Sequence, residues 1–284
     1  MKNVSLVISC GGAKGLVGIG VIEELERRGY NISSVAGTSI GSVILGIYAS
    51  GNLKEYKKWM LSLGRLDVFR LMDFTLSTRG VIKGKKVFEE MKNFFPDTLI
   101  EDLPIPYSAV AADVNTFKEV SFEKGSLHQA IRCSISVPSL MTPVINGSQI
   151  LVDGGVVNPL PLSTIQRTKN DILIAVNLNH FDPSFRKKIS PFSLDYPIIK
   201  EMLNCFSSSG KKKAAGNMVT FLHKTAYIMM SQLSENSIQK YKPDVLINIP
   251  YNICGFFDYH ETKKLIQIGV DKTIEALNNY ENNE

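Results

Sequence analysis

A G-x-S-x-G pattern at Gly37–Gly41 is the part of the sequence that most directly suggests chemistry. It follows Val35–Ala36, which predicts a very short strand, and leads into a helix of small residues predicted at Ile40–Ser50. A serine between a strand and a helix lies on a sharp turn where the backbone doubles back, so its neighbours Gly37 and Gly41 must be small. The turn exposes the hydroxyl and directs a helix N-terminus at it. Ser39 is therefore a candidate nucleophile, although a tight turn with an incidental serine has the same pattern.

A glycine-rich loop, Gly11-Gly12-Ala13-Lys14-Gly15, follows the first predicted strand and precedes a helix. Its glycines allow backbone N–H groups to converge on one point, which suits a phosphate or an oxyanion. The dinucleotide pattern G-x-G-x-x-G fails because Cys10 stands where its first glycine is needed, and G-x-x-x-x-G-K-[ST] is absent. Because the serine turn follows the next strand, the loop is a candidate oxyanion hole.

An acid followed by two glycines, Asp153-Gly154-Gly155, ends another predicted strand. Its carboxylate is a candidate base for Ser39, since a serine hydroxyl is a poor nucleophile until a base takes its proton. In isolation, an aspartate before two glycines also caps turns. The catalytic interpretation therefore depends on all three patterns standing at strand ends of one sheet.

The order of the predicted elements indicates the fold class. A βαβα opening predicts a parallel sheet with helices on its faces, which is an α/β architecture. The predicted strands are Val4–Ile8, Val35–Ala36, Tyr107–Ala112, Ile150–Asp153, Asp171–Leu178 and Asp244–Ile249. The predicted helices are one from about Leu16 to Arg27-Arg28-Gly29, and those at Ile40–Ser50, Gly84–Phe95, Leu127–Ser134 and Glu261–Asn279.

Together these segments resemble the patatin-like phospholipases, whose pattern is a glycine-rich loop with a basic residue, a G-x-S-x-G turn and D-G-G/A. The resemblance runs from about Val4 to Val176 and resumes near Pro243. Lesser matching features are Ser108–Asp113, Ala130–Pro138, Pro143-Val144 and Asn158–Pro161. The resemblance implies a three-layer α/β/α fold with a central, mostly parallel sheet. One departure is Cys10, which replaces the usual first glycine of the loop.

The resemblance also implies a function, which is hydrolysis of lipid acyl esters of the phospholipase A or lysophospholipase type. Ser39 would be the nucleophile and Asp153 its base, as a dyad that forms an acyl-enzyme intermediate. The backbone amides of Gly11, Gly12 and Ala13 would form the oxyanion hole, with Lys14 nearby. No cofactor and no metal are expected.

Three other interpretations use the same residues. A Ser-Asp-His triad is permitted by chain order, because His180, His223 and His260 all follow Asp153. A lipid- or nucleotide-binding protein without activity would use only the glycine-rich loop. Acyl transfer to an alcohol would use the residues of hydrolysis.

Composition and charge indicate which classes of partner the chain could bind. The formal net charge of +5 permits contact with an anionic membrane surface, and no stripe of basic and aromatic residues indicates nucleic acid. Four cysteines without a CxxC pair, and no signal peptide, favour a cytoplasmic location, with which peripheral contact at the inner membrane face is compatible. No cluster of His, Cys, Asp or Glu has metal-ligand spacing. The oligomeric state is left open.

One region stands apart from the rest of a predicted single domain at 1–284. Residues 181–239 contain Arg186-Lys187-Lys188, Ser207–Gly210 and Lys211-Lys212-Lys213, followed by an amphipathic stretch. We interpret this region either as a surface loop plus a helix that packs on the core, or as a lid or lipid-contacting element.

Overall fold

The strands of the fold form two sheets within the described residues, which are 2–77, 80–184 and 212–282 of a computed structural model. The strands are β1 (Asn3–Ile8), β2 (Asn31–Thr38), β3 (Phe74–Ser77), β4 (Gly80–Ile82), β5 (Tyr107–Asp113), β6 (Lys118–Phe122), β7 (Ser139–Met141), β8 (Val144–Asn146), β9 (Gln149–Asp153), β10 (Ile172–His180) and β11 (Val245–Pro250). The helices are α1 (Val17–Arg27), α2 (Ile40–Ala49), α3 (Leu53–Ser62), α4 (Arg65–Leu71), α5 (Lys85–Met91), α6 (Leu127–Ser134), α7 (Lys212–Tyr241) and α8 (Thr262–Glu281).

The large sheet is parallel in its centre and antiparallel at one end. Strands β11, β10, β1, β2 and β5 lie side by side in that order and pair in parallel. The pairs β5–β6, β5–β9 and β8–β9 are antiparallel. A small second sheet joins β3, β4 and β7.

The two faces of the large sheet pack against hydrophobic clusters of different size, as the side chains of strand β1 illustrate. Its Val4, Leu6 and Ile8 point into the main core, which also contains the buried faces of α1, α2 and α8. Its Val7 points the other way, into a smaller cluster completed by α7. This alternation follows from the two-residue period of a strand. Helices therefore lie on both faces of the sheet, and the predicted three-layer α/β/α fold is confirmed.

Most of the predicted elements are present, with two clear errors. The strand predicted at Val35–Ala36 is the eight-residue β2, because its polar first half still pairs with β1. The helix predicted at Gly84–Phe95 is shorter, since α5 covers Lys85–Met91. Helices α3 and α4, the small sheet, and strands β6 and β8 of the large sheet were not predicted from the sequence.

The region predicted at 181–239 is only partly described. Residues 185–211 lie outside the described ranges, and α7 begins at Lys212. Within the described ranges, no helix combines the length and hydropathy needed to cross a membrane. The single-domain assignment for 1–284 stays a prediction.

Candidate active site

Two strands meet end to end on one edge of β5, and the candidate nucleophile and base stand at this meeting point. Parallel β2 ends with Thr38 opposite Val110, and antiparallel β9 ends with Asp153 opposite Ala111. Both strands occupy the same edge of β5, because β6 pairs along its other edge from Ala109 to Asp113. We call this junction the seam. Ser39 follows Thr38 directly, so sheet register brings Ser39 and Asp153 together.

The turn at Ser39 has a backbone conformation that side-chain-bearing residues rarely adopt, with φ 57° and ψ −126°. Glycines make the turn possible by allowing close backbone contacts. A Cβ on Gly37 would lie 2.4 Å from the Gly41 carbonyl carbon, and one on Gly41 would lie 2.2 Å from the Ile8 carbonyl oxygen. Both distances are far below van der Waals contact, so the G-x-S-x-G spacing follows from sterics. Ser39 itself is 5% exposed.

Asp153 is a buried carboxylate next to Ser39. Its Oδ1 accepts a hydrogen bond from the Gly155 amide at 2.7 Å, while Oδ2 has no hydrogen-bond partner among the described residues. Burial raises the pKa of Asp153 to about 6, against smaller lowering effects of the Ser39 hydroxyl and the Gly155 amide. Ser39 is thus close enough to influence the carboxylate without a well-aligned hydrogen bond to Oδ2. Catalytic pairs commonly align only when substrate binds.

The second residue of the Asp-Gly-Gly segment, Gly154, lets this chain cross β5 closely. A Cβ there would lie 2.4 Å from the Val110 carbonyl oxygen. Gly155 packs against Cys10, whose Sγ would be 3.0 Å from an added Cβ. The Asp153 turn therefore lies in contact with both β5 and the glycine-rich loop.

The glycine-rich loop presents two backbone amides that have no protein acceptor among the described residues, those of Gly11 and Gly12. Gly12 needs its φ of 59°, and a Cβ on it would lie 2.7 Å from the ring of Phe256. The amide of Ala13 donates to the Phe256 carbonyl at 3.0 Å, so it is occupied. The oxyanion hole therefore reduces to Gly11 and Gly12 as candidate donors.

Two other residues of the loop have structural contacts. Cys10 is not among the residues with positive φ, so its Cβ causes no backbone strain, and its amide donates to the Pro159 carbonyl at 2.9 Å. Gly15 packs against Ile40, at the start of α2. The cysteine that departs from the family pattern is thus compatible with the loop.

The side chain of Lys14 is buried and contacts elements outside the glycine-rich loop. Its Nζ donates to the Tyr251 carbonyl at 3.0 Å and lies 4.7 Å from the ring centre of Tyr227, in α7. Burial lowers the pKa of Lys14 to about 8, although the nearby thiols of Cys254 and Cys10 raise it. Lys14 therefore fixes the loop against the segment after β11 and against α7.

An apolar cavity of about 170 Å³ opens at Ser39 and Gly12. Its wall consists of hydrophobic side chains from α3, α4, α5, the small sheet and the segment after β11. The main contributors are Tyr56, Trp59, Met60, Val68, Leu71, Met72, Ile82, Val87, Phe88, Met91, Leu140, Met141, Phe256 and Phe257. An extended apolar group in this cavity would have one end next to the hydroxyl of Ser39.

The described histidine side chains contact other parts of the molecule. Nε2 of His128 lies 2.9 Å from the Phe95 carbonyl oxygen, and His260 accepts a hydrogen bond from Arg65. His180 ends β10, and none of these three is among the groups that alter the pKa of Asp153. The side chain of His223 lies outside the described residues. In the described part of the chain, no group of three or more His, Cys, Asp or Glu has the arrangement of a metal site.

Comparison with known proteins identifies the family. A family model described as patatin-like phospholipase matches residues 6–165, which is more than half of the 284 residues. The chain belongs to the patatin-like phospholipase family. The resemblance inferred from the three segments is thereby confirmed.

The relatives of the chain include proteins of similar length and much longer ones. An uncharacterized NTE family protein of Mycobacterium tuberculosis is 29% identical, with 98% of this chain and 92% of that protein aligned. Lysophospholipase NTE1 of Candida glabrata is 26% identical, and the match covers 95% of this chain but 16% of that protein. The crystal structure of VipD from Legionella pneumophila aligns with 98% of this chain and 67% of that one, at 13% identity and a TM-score of 0.47.

Three groups that the sequence did not reveal hold the candidate site together. They are the hydroxyl of Ser134, the carbonyl of Ser136 and the carbonyl of Phe256, which bond to the amides of Ser39, Asp153 and Ala13. The two serines lie in Ala130–Pro138, a segment noted for its resemblance without a role. The contact of Ser134 with Ser39 spans 95 residues and that of Ser136 with Asp153 joins two different elements, so local patterns reveal neither.

Proposed function

We propose that this protein hydrolyses lipid acyl esters, with a lysophospholipid or phospholipid as substrate. The observation that carries the proposal is the apolar cavity that opens at Ser39 beside the buried carboxylate of Asp153. An acyl chain gains about 0.8 kcal/mol for each buried methylene, so such a cavity favours a long apolar group. A chain in this cavity would bring its ester carbonyl to the hydroxyl of Ser39.

In the proposed reaction, the Ser39 oxygen attacks the ester carbonyl while its proton passes to the Asp153 carboxylate. The carbonyl oxygen becomes an oxyanion, which accepts hydrogen bonds from the amides of Gly11 and Gly12. The ester C–O bond then breaks, the leaving alcohol takes the proton from Asp153, and the acyl group stays on Ser39. Water attacks this acyl-enzyme with Asp153 again as base, which releases the fatty acid and restores Ser39.

The environment of Asp153 supports its role as base without a histidine. An ordinary aspartate, with a pKa of about 3.9, is a weak base near neutral pH. Burial raises the pKa of Asp153 to about 6, which brings it nearer to the range where general bases are effective. It still leaves most of the carboxylate ionised at pH 7, the form that accepts the proton.

The relatives support a lipid substrate and narrow its class. Lysophospholipase NTE1 of Candida glabrata bears that activity in its name, and the match to it covers 95% of this chain. A lysophospholipid has one acyl chain, and the apolar cavity at Ser39 offers a place for such a chain. Transfer of the acyl group to an alcohol instead of water would use the same residues, and a product analysis with added alcohol distinguishes the two.

The test compares the wild-type protein with Ser39→Ala on lysophosphatidylcholine, phosphatidylcholine and a chain-length series of nitrophenyl esters. We expect the wild type to release fatty acid and Ser39→Ala to release none while it remains folded. Ser108→Ala is the matched control, because it removes a buried hydroxyl without any hydrogen-bond partner in the described structure. Hydrolysis by Ser39→Ala at the wild-type rate would refute the assignment.

A binding protein without activity is the alternative from another class. It is distinguished by a fluorophosphonate probe, which reacts covalently with an activated serine. We expect mass spectrometry to find the adduct on the peptide that contains Ser39. A wild-type protein that binds lipid but forms no adduct would support the alternative.

We also propose that α7 contacts an anionic lipid surface. Phe221, Ile228 and Met229 lie on one face of the helix and are 69%, 64% and 58% exposed. Tyr227 is buried against Tyr251 near the glycine-rich loop, so this part of α7 lies next to the loop while its exposed face points away from it. Basic residues precede it in the sequence, although Lys211 and the side chains of Lys212 and Lys213 lie outside the described residues.

The test of this contact uses vesicles with and without anionic lipid. Each lysine near an anionic surface contributes about 1 kcal/mol, so replacing Lys211, Lys212 and Lys213 with Gln should weaken binding to anionic vesicles strongly. Turnover of a soluble ester should change little. Equal vesicle binding by both proteins would contradict the proposed contact.

A further inference from the structure

Ser134, the last residue of α6, inserts its hydroxyl into the seam. The side chain is fully buried, and its Oγ accepts a hydrogen bond from the Ser39 amide at 2.8 Å. The same hydroxyl donates to the Val110 carbonyl at 2.6 Å. It therefore connects the nucleophile turn to β5 at the point where β2 leaves that strand.

The Ser39 turn needs such support because its backbone is strained. A residue with a Cβ at φ 57° keeps that conformation only when its surroundings determine it. The Ser39 carbonyl is held by several donors, the amide and hydroxyl of Ser42 at 2.9 and 2.6 Å and the amide of Val43 at 3.3 Å. The Ser39 amide, in contrast, has Ser134 Oγ as its hydrogen-bond acceptor.

The same short segment also holds the candidate base. Two residues after Ser134, the Ser136 carbonyl accepts a hydrogen bond from the Asp153 amide at 2.9 Å. The segment from Ser134 to Ser136 therefore bonds to the backbones of both Ser39 and Asp153. A change in its position would alter the distance between the two side chains.

We propose that Ser134 is a positioning residue, which sets the backbone of Ser39 relative to Asp153. This inference rests on the proposed role of Ser39 as nucleophile. Ser134 does not touch the substrate. Its hydroxyl acts as donor and acceptor at once, and its removal leaves the buried Ser39 amide and Val110 carbonyl without their partner. Misplacement of a nucleophile by about 1 Å costs on the order of a hundredfold in rate.

The experiment compares Ser134→Thr with Ser134→Val. The two replacement side chains have nearly the same shape, so any cost of the added bulk is shared, and they differ in the hydroxyl. We expect Ser134→Val to have a kcat on a soluble nitrophenyl ester about a hundredfold below that of Ser134→Thr, with KM nearly unchanged. The rate of fluorophosphonate adduct formation on Ser39 should fall in parallel. Ser108→Ala, an equally buried serine on β5, should match the wild type.

The outcomes separate this inference from the function on which it rests. Equal kcat and equal labelling rates for the Thr and Val variants would overturn the positioning role, even if the wild type is active. Loss confined to KM would also overturn it, because a positioning defect acts on the chemical step. A wild-type protein that forms no adduct at Ser39 would instead refute the proposed function itself.

Discussion

The seam faces, across one cavity, a wall formed by α3, α4, α5, the small sheet and the segment after β11, but the two regions are built in different ways. At the seam, backbone segments pass so closely that a single added Cβ would clash, so only glycine fits at these positions. A Cβ on Gly41 would lie 2.2 Å from a carbonyl oxygen, and one on Gly154 would lie 2.4 Å from another. The wall consists of apolar side chains such as Met72, Ile82 and Phe257, which form a cluster of their own.

This difference indicates which parts of the site tolerate substitution. Catalysis needs particular atoms at particular distances, so substitution at the seam should abolish activity or folding. The wall needs volume and hydrophobicity, properties that many apolar residues supply. Substitution there should change which substrate is preferred and leave the reactivity of Ser39 intact.

The largest effect is expected at the base. Asp153→Asn keeps the shape of the side chain but cannot accept a proton, so we expect ester hydrolysis to fall nearly as far as in Ser39→Ala. His180→Ala, His223→Ala and His260→Ala should each retain most of the activity. Steady-state kinetics on a soluble nitrophenyl ester provide the measurement. A folded histidine variant that loses as much kcat as Asp153→Asn would replace the dyad with a triad.

A measurement of thermal stability distinguishes loss of the base from loss of the fold in Asp153→Asn. Because burial raises the pKa of Asp153 from about 3.9 in the unfolded chain to about 6 in the folded one, the wild type loses stability as the pH rises from about 4 to about 6, and the cost is complete above that. The cost is on the order of 3 kcal/mol. Asp153→Asn should therefore have a higher Tm than the wild type at pH 8, and the difference should shrink as the pH falls from about 6 to about 4 and vanish below about 4.

A matched pair of glycine substitutions in one helix tests the seam next. Gly41→Ala brings a Cβ onto the backbone of β1, which cannot move aside, so we expect loss of soluble folded protein or a Tm far below the wild type. Gly46→Ala, one turn further along α2, meets only the ends of side chains at 3.0–3.3 Å. It should be tolerated, helped by a gain in helix propensity of up to about 1 kcal/mol. Similar melting temperatures for the two variants would contradict the steric argument.

The sequence predicted the seam better than the wall for a physical reason. Short glycine patterns report local backbone constraints, and these constraints identified Ser39, Asp153 and the loop at Gly11 and Gly12. Two other features depend on contacts between distant segments, which local patterns do not encode. They are the position of β2 and β9 on one edge of β5, and the hydrogen bond of the Ser134 hydroxyl to the Ser39 amide. The occupied amide of Ala13 depends in the same way on Phe256.

The wall was not predicted because its residues form no distinctive pattern. Helices α3 and α4 present mixed polar and apolar residues, and few of their side chains are fully buried. The sequence therefore indicated a lipid substrate through family resemblance and gave no location for its acyl chain.

The pH dependence of activity tests the environment of the base. The active form of Asp153 is ionised, so kcat/KM should fall as the pH drops through about 6, by about tenfold for each further unit. An unperturbed carboxylate would give this decline near 4 instead. A pH profile of kcat/KM on a soluble ester between pH 4 and 9 distinguishes the two. A decline centred near 4 would mean that the carboxylate is not desolvated in the working enzyme.

The smallest effect is expected at the wall, where Met91 lines the cavity from α5. Met91→Ala enlarges the cavity and should favour longer acyl chains, whereas Met91→Phe fills it and should favour shorter ones. Each methylene gained or lost in an apolar pocket changes discrimination by about tenfold or more, so the ratio of kcat/KM for dodecanoyl and butanoyl esters should move about tenfold in opposite directions.

The rate at which Ser39 reacts with a fluorophosphonate tests whether substitutions in the wall affect only the choice of substrate. A small fluorophosphonate does not reach the wall, so both Met91 variants should react with it at the wild-type rate. Met229→Ala is the control, because Met229 is exposed on α7 and its loss should not alter the chain-length profile. If both Met91 variants instead lose activity equally on all esters and react slowly with the probe, the wall supports the seam directly. The two regions would then be coupled, and the separation between chemistry and substrate choice would not hold.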